Sequence, residues 1–360
     1  MKKYNSAYDQ MLQFNKDSVL GLKDIYKSMQ LWQLKNGKND GVFCPTKVSS
    51  LPVMRAMQIT DPYALVRNQT DESFRKQVVL LSKMTLTHIY GVWRNTLGIY
   101  RIDSDIYKQI EKSNIPLDTP MSIYSRLPEW CVYIELPQDN NLCPGVGLHG
   151  FDVDGARGFW AYLDYNSDGK RKLSLCLDYI ATDPVYNPFE LDIDNAQTLQ
   201  QALELNDEVM LKTNEHYSKL DKNNAELAHK ALKYSNEHDK ALVSMMLSLL
   251  LWLCAEEPDI TNIKGEPVTG EQLRLPRYSR NKKTGMFVAP NAPTVFNIGK
   301  RLGGEIRQFN ERNGTADTRV SSRKRPHIRR GHWHGVWKGA DQDKQFKVYW
   351  QPAIFVNAYG

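Results

Sequence analysis

The spacing of apolar residues changes from a helical to a strand period near residue 130, and back again after Asp194. A period of 3.6 lines one face of a helix and a period of 2 lines one face of a strand. The switch therefore excludes an all-helical or an all-β chain and points to an α+β fold. From about Ser6 to Leu34, Met11, Leu12, Phe14, Val19, Leu22, Ile25 and Tyr26 recur at three- and four-residue steps, which predicts a helix. Asn36 to Pro52 reads as a polar connection. A second long helix is expected from about Asp71 to Tyr90, with Trp93, Leu97, Ile99 and Tyr100 packing on it, and a short amphipathic piece over Asp105 to Lys112.

Strands are expected at Cys131 to Leu136, Gly158 to Tyr165 and Lys172 to Tyr179. The last two flank Asn166-Ser167-Asp168-Gly169, and an Asp-Gly step between apolar runs is a hairpin signal. Asp164, Asn166, Asp168 and Gly169 also match the opening of a calcium loop. The twelfth position, which must supply a bidentate glutamate, is Leu175, so the turn reading is preferred. Helix returns after Asp194, is polar to about Ser235, and continues as a buried segment over Leu242 to Ala255. Gly265 to Pro293 reads as a loop, Thr294 to Ile298 as a strand and Gly299 to Phe309 as a short helix or strand. The tail reads as a hairpin, His327 to Trp337 returning through Phe346 to Val356. Three regions result: a mainly helical 1–125, a strand-rich and helical 126–260, and a C-terminal 261–360 that carries the β-hairpin, with antiparallel sheet packed against the helices.

Charge divides along the same lines. The chain carries +6 overall, yet Glu271 to Gly360 holds 18 Lys+Arg against 6 Asp+Glu, while Glu129 to Glu208 holds 4 against 15. Such asymmetry bears on partners. Either the two parts attract each other within the molecule, or the basic part meets RNA or another polyanion. The longest apolar run, Ala241 to Cys254, is too short to span a bilayer. Five cysteines without a CxxC pair argue against a disulfide framework or thiolate zinc site and fit a reducing cytoplasm. No signal peptide is read at MKKYNSAYDQ.

The densest chemistry lies in RKRPHIRRGHWHGVW, Arg323 to Trp337. Strict alternation puts Ile328, Arg330, His332, His334 and Val336 on one face, and His327, Arg329, Trp333 and Trp337 on the other. Several readings stay open. His332 and His334 suit a metal in geometry, but no third ligand stands near, so no metal or cofactor is expected. Two histidines beside arginines permit metal-independent acid–base cleavage of RNA. Arg323, Lys324, Arg325, Arg329 and Arg330 with the tryptophans suit a phosphate- or peptide-binding surface. Alternatively, Trp333 and Trp337 are core and the arginines are tied to the acidic part. No phosphate loop or nucleophile elbow is found.

Six stretches in order resemble one family. They are WRNTLGIYRID (Trp93 to Asp103), PEWCVYIELP (Pro128 to Pro137), LLLWLCAEEPDI (Leu249 to Ile260), TVFNIGKRLGGEIR (Thr294 to Arg307), RPHIRRGHWHGVWKG and KVYWQPAIFVN. Together they resemble the second family of type V-A anti-CRISPR proteins, carried by phages and mobile elements, over most of the chain from about Thr70. The resemblance implies a cytoplasmic protein in a bacterial host that lowers the amount of the type V-A CRISPR effector. It would do so by recognising the effector's nascent N-terminal peptide and causing loss of its mRNA during translation, with the ribosome, the mRNA and host nucleases as further partners. It brings no catalytic residues with it, so a binding protein is expected rather than an enzyme. A ribonuclease using the His/Arg hairpin is the alternative. A peptide groove is expected around Trp130, Tyr133, Phe159, Trp160 and Tyr162, whose acidic surroundings favour a basic peptide. The Arg329, Arg330, Trp333 hairpin is the competing site.

Overall fold

The structure is a computed structural model that describes residues 6–18, 21–56, 71–113, 115–140, 153–181, 186, 188–208, 225–273, 277–314, 327–340 and 343–356. Its centre is a seven-stranded mixed sheet in the order β5-β4-β3-β2-β1-β9-β6. The strands are β1 (Gly98–Ile102), β2 (Cys131–Glu135), β3 (Val153–Tyr165), β4 (Arg171–Ala181), β5 (Phe189–Asp192), β6 (Ile260–Asn262) and β9 (Thr294–Ile298). The run from β2 to β5 is antiparallel, as the Asp-Gly turn requires. Strand β1 is parallel to both β2 and β9, so the sheet is mixed where antiparallel pairing alone was expected. Strand β1 carried no strand signal, because four of its five residues are buried and its apolar residues therefore do not alternate.

Both sheet faces are covered, and alternation along each strand assigns side chains to one face or the other. Helices α1 (Ala7–Asp17), α2 (Leu22–Asn36) and α4 (Asp71–Trp93) cover one face, over Ile99, Cys131, Tyr133, Trp160, Tyr162 and Cys176. The other face meets α5 (Ser104–Glu111), the helical residues 199–208 (α6) and α7 (Ala225–Cys254), over Tyr100, Val132, Ile134, Phe159 and Leu175. The single N-terminal helix expected to Leu34 is two helices. Ser18 caps the first, and Gly21 enters the second at φ +62, a conformation that costs a side-chain-bearing residue about 1 kcal/mol or more. The connection expected over Asn36 to Pro52 contains a helix, α3 (Lys47–Ala56), which packs on α2 and α4 and buries Ser49 and Val53. That packing supplies what its weak apolar pattern does not.

The 265–293 stretch is mostly loop, with a four-residue α8 (Gly270–Leu273) and a small ribbon of β7 (Ser279–Arg280) and β8 (Phe287–Val288). Helix α9 (Lys300–Gly314) follows β9, and Asp259 accepts a hydrogen bond from Leu302 N at its first turn. Among the described residues no helix is long and apolar enough to cross a membrane.

Candidate interaction surface

The chain ends in a long two-stranded ribbon that is broken once. Strand β10 (His327–Arg329) pairs antiparallel with β13 (Ile354–Val356), and β11 (His332–Lys338) with β12 (Gln345–Gln351). The break falls at Arg330-Gly331 on one side and Pro352-Ala353 on the other. It changes which residues share a face. Ile328 and Trp333 both pack toward the core although an odd number of positions separates them, and Arg329 is exposed together with His332 and His334. Strict alternation put Ile328 on the histidines' face and opposite Trp333; across the break Ile328 instead packs inward, as Trp333 does.

The inner face of the ribbon anchors it. Trp333 is 3% exposed, donates Nε1–H to Ser248 Oγ at 2.9 Å, and meets Trp252 and Trp350 edge-on. It is core and so belongs to no open binding surface. Rings from β12 come close to the backbone at Gly335 of β11 and at Gly331 just before it. A Cβ on Gly335 would strike the Phe346 ring, and one on Gly331 the Trp350 ring. Glu256 N donates to Val348 O, and Arg126 donates to Glu256 Oε1 and to Phe346 O, both at 2.8 Å. Lys347 completes this anchor with Nζ 3.4 Å from Glu256 Oε2.

The outer face is different in kind. His332 and His334 are exposed on β11, opposite Gln351 and Tyr349 on β12. Lys338 holds its ammonium 5.0 Å over the Tyr349 ring and 3.2 Å from its hydroxyl. Trp337 lies on the opposite side of the ribbon, paired with Phe346 on the face that carries Trp333, yet it is 59% exposed and meets the Phe346 ring edge-on. Arg330 is exposed, with Nη1 3.5 Å from Lys112 O, and His327 is exposed at the start of β10. Arg323, Lys324 and Arg325 lie outside the described residues. Among the described residues no group of three His, Cys, Asp or Glu stands close enough to hold a metal ion.

The aromatic residues expected to line a peptide groove in the acidic middle are packed away. Tyr133, Phe159, Trp160 and Tyr162 are at most 2% exposed. Tyr133, Trp160 and Tyr162 lie under α4 and its neighbours, and Phe159 lies on the opposite face. A sheet buried on both faces leaves no open row of rings. Trp130 is half-buried, stacked on Tyr278 at 4.7 Å and edge-on to Phe43 and Phe287.

The acidic residues of this region are largely engaged within the molecule. Asp178, fully buried, accepts from Arg157 Nη2 at 2.7 Å and from Tyr133 OH at 2.8 Å. Burial raises its pKa against the opposing pull of those donors. Glu129 takes Arg277, from the basic C-terminal quarter, and Tyr100, and Asp103 takes Arg307 of α9. Asp194 and Glu190 take Arg171 and Lys172. The basic quarter is thus tied in part to acidic residues elsewhere in the fold.

One cluster mimics a hydrolase triad. Ser49 Oγ lies 3.0 Å from His88 Nδ1, and Asp164 is close enough to act on the imidazole's charge. Ser49 and His88 are at most 1% exposed, so the cluster is sealed beneath the helices. The Ser49 hydroxyl also lies 2.9 Å from Thr46 O, an acceptor that competes with Nδ1 for its one proton. Asp164 itself holds Thr46 and Tyr165 N.

A model of the AcrVA2-like family, described as the anti-CRISPR type V subtype A2 family, matches residues 100–358, a span that runs from β1 through the C-terminal ribbon. A crystal structure of AcrVA2 matches with a TM-score of 0.69 and 34% identity, covering 97% of this chain and 98% of that one. No curated protein matches the chain. With a family model over most of its length and a solved relative of that identity over nearly all of it, the chain belongs to the AcrVA2-like family of type V-A anti-CRISPR proteins.

Proposed function

We propose that the protein recognises the nascent N-terminal polypeptide of the type V-A effector nuclease and thereby triggers translation-dependent loss of that effector's mRNA, with host nucleases doing the cutting. The observation that carries this reading is family membership across nearly the whole chain. A binding role is supported further by the character of the outer ribbon face. It offers exposed cations, and among the described residues no carboxylate is hydrogen-bonded to His332 or His334. An acid–base catalyst needs such positioning.

The test separates peptide from message. A reporter carrying the effector's leading codons is expressed with the protein in three forms: native, synonymously recoded, and frameshifted so that nearly the same RNA encodes another peptide. Loss of the native and recoded messages with survival of the frameshifted one is expected. Equal loss of all three overturns the reading. A synthetic peptide of the effector's N-terminus should also bind the purified protein with micromolar or tighter affinity.

The exposure of His332 and His334 on one side of β11 favours one second reading: an RNA-binding protein or metal-independent ribonuclease. Incubation of RNA with purified protein in EDTA decides it. Intact RNA removes the nuclease, and cleavage abolished by His332→Ala/His334→Ala establishes it.

A further inference from the structure

The terminal ribbon has two long edges, and the body covers one of them. In an antiparallel pair, successive residues point their N–H and C=O groups alternately toward the partner strand and away from it. On β12, Phe346 O accepts from Arg126 and Val348 O accepts from Glu256 N, so the outward carbonyls of this strand are taken by the body. The register places Trp337 opposite Phe346 and Gly335 opposite Val348. The N–H and C=O groups of Gly335 and Trp337 therefore point outward from β11, along the ribbon's other edge. Among the described residues no strand pairs with β11 there. The same end of the ribbon carries the Trp337 indole, 59% exposed, whereas Trp333 on the same face is 3% exposed. An open hydrogen-bonding edge and an open ring thus sit side by side.

We infer that the free edge of β11 binds an extended acidic polypeptide segment as a third strand, with an apolar side chain against Trp337 and a carboxylate beside Lys338. The backbone selects a polypeptide. A row of outward donors and acceptors is matched by another peptide backbone, which repeats both at the same spacing, and a nucleic acid strand does not. Alternation then sorts the side chains of the added strand. Every second residue falls on the inner face, where Trp337 lies open, and the residues between fall on the outer face beside His334 and Lys338. Lys338 is exposed, rests over the Tyr349 ring and pairs with no carboxylate among the described residues. A lysine on an open edge repels a basic strand and attracts an acidic one. It also disfavours a second copy of this chain as the occupant. Two β11 edges joined antiparallel about Gly335 would gather Lys338 and the histidines of both copies on one face, with no carboxylate among them. The support is held in advance. Trp333 on Ser248 and the Arg126–Glu256 pair fix the ribbon before a strand arrives, which reduces the ordering cost of binding. The inference rests on the peptide-recognition reading above for the source of the segment, and goes beyond it in naming the edge and the chemistry of the strand.

The experiment uses the full chain and fluorescently labelled peptides of about six residues, an ordinary strand length, in which valine alternates with glutamate or with lysine. Anisotropy is read at low salt. The Val/Glu peptide should bind about tenfold or more tightly than the Val/Lys peptide. Trp337→Ala should weaken its binding by about tenfold, and Lys338→Glu should reverse the preference between the two peptides. Thermal melts confirm that both variants are folded. Backbone N-methylation separates strand addition from charge attraction. Methylating the alternate set of peptide nitrogens that faces β11 should cost about tenfold, while methylating the other set leaves binding unchanged. Absence of Val/Glu binding, equal binding of the two peptides, or an equal effect of the two methylated sets overturns the inference. A synthetic peptide of the effector's N-terminus is titrated in parallel. Binding of that peptide undiminished by either variant, with the Val/Glu peptide unbound, overturns the inference and leaves the nascent-chain reading standing. Register-specific binding of the Val/Glu peptide, with none of the effector's peptide, supports the inference and removes the nascent-chain reading.

Discussion

The acidic central sheet and the basic C-terminal ribbon treat the same residue types in opposite ways. In the sheet, Tyr133, Trp160 and Tyr162 are sealed beneath helices, and the carboxylates around them are matched by Arg157, Arg171, Lys172 and Arg277. In the ribbon, one tryptophan is sealed and its neighbour four residues on is left in water, with cations beside it. The sheet has two covered faces and the ribbon has one. Coverage, rather than composition, decides whether an aromatic residue is structure or surface. An acidic stretch rich in rings therefore does not make a peptide site when both its sides are packed, and a basic stretch makes an exposed surface wherever the body does not reach it.

The sharpest way to break this comparison is to remove a ring from the sheet. Trp160 is fully buried and meets Tyr90, Trp93, Tyr133 and Tyr186. Trp160→Ala should destabilise the fold by about 3–5 kcal/mol, measured by urea unfolding. A loss below about 1 kcal/mol would mean that the region is more open than described.

A smaller effect tests the sealed polar cluster under the same helices. Burial lowers the pKa of His88 from its ordinary 6.5; Asp164 opposes the shift and Lys172 adds to it. A histidine whose folded pKa is depressed stays neutral in the fold while the unfolded chain takes up a proton. The unfolded state then binds more protons, so stability is full above pH 6.5 and falls as pH drops from there toward the folded pKa. The slope for one proton cannot exceed about 1.4 kcal/mol per pH unit. Unfolding free energies measured from pH 7.5 to 5 should show this fall, and His88→Phe should flatten it. An unchanged slope in the variant would place the pH dependence elsewhere.

The smallest expected effect lies at the uncovered end of the ribbon's inner face. Trp337→Ala should leave stability within about 0.5 kcal/mol of wild type, as for surface substitutions away from packed features. A loss of 2 kcal/mol or more would show Trp337 to be part of the core and remove the contrast with Trp333.

Much of the fold was legible in the sequence because local periodicity records which side of an element is buried. The β3–β4 hairpin follows from its Asp-Gly turn, with Asn166 N donating to Lys170 O at 2.8 Å, and α5, β9 and the terminal ribbon fall near where their patterns put them. Strand β1 and helix α3 were missed for opposite reasons. Strand β1 is buried on both faces and shows no alternation, while α3 has too weak a pattern to stand without α2 and α4. The candidate surface was located by composition alone: the cluster of Arg, His and Trp near the C-terminus. Its division into faces holds within β11 and fails only across Arg330-Gly331, where the ladder is interrupted opposite Pro352-Ala353, an interruption that no local pattern reports. Tyr349 and Lys338, which complete the outer face, gave no signal, since they meet only through cross-strand register.

By itself the sequence determined the element types, the charge division and the segment where chemistry concentrates, because these depend on side-chain type and spacing along the chain. Tertiary structure alone decided that the rings of the acidic middle are core, that the carboxylates near them are neutralised from inside, and that Trp333 and Trp337 have different fates. Burial is a property of what lies across from a residue, and for this sheet the covering helices come from chain segments far away in sequence.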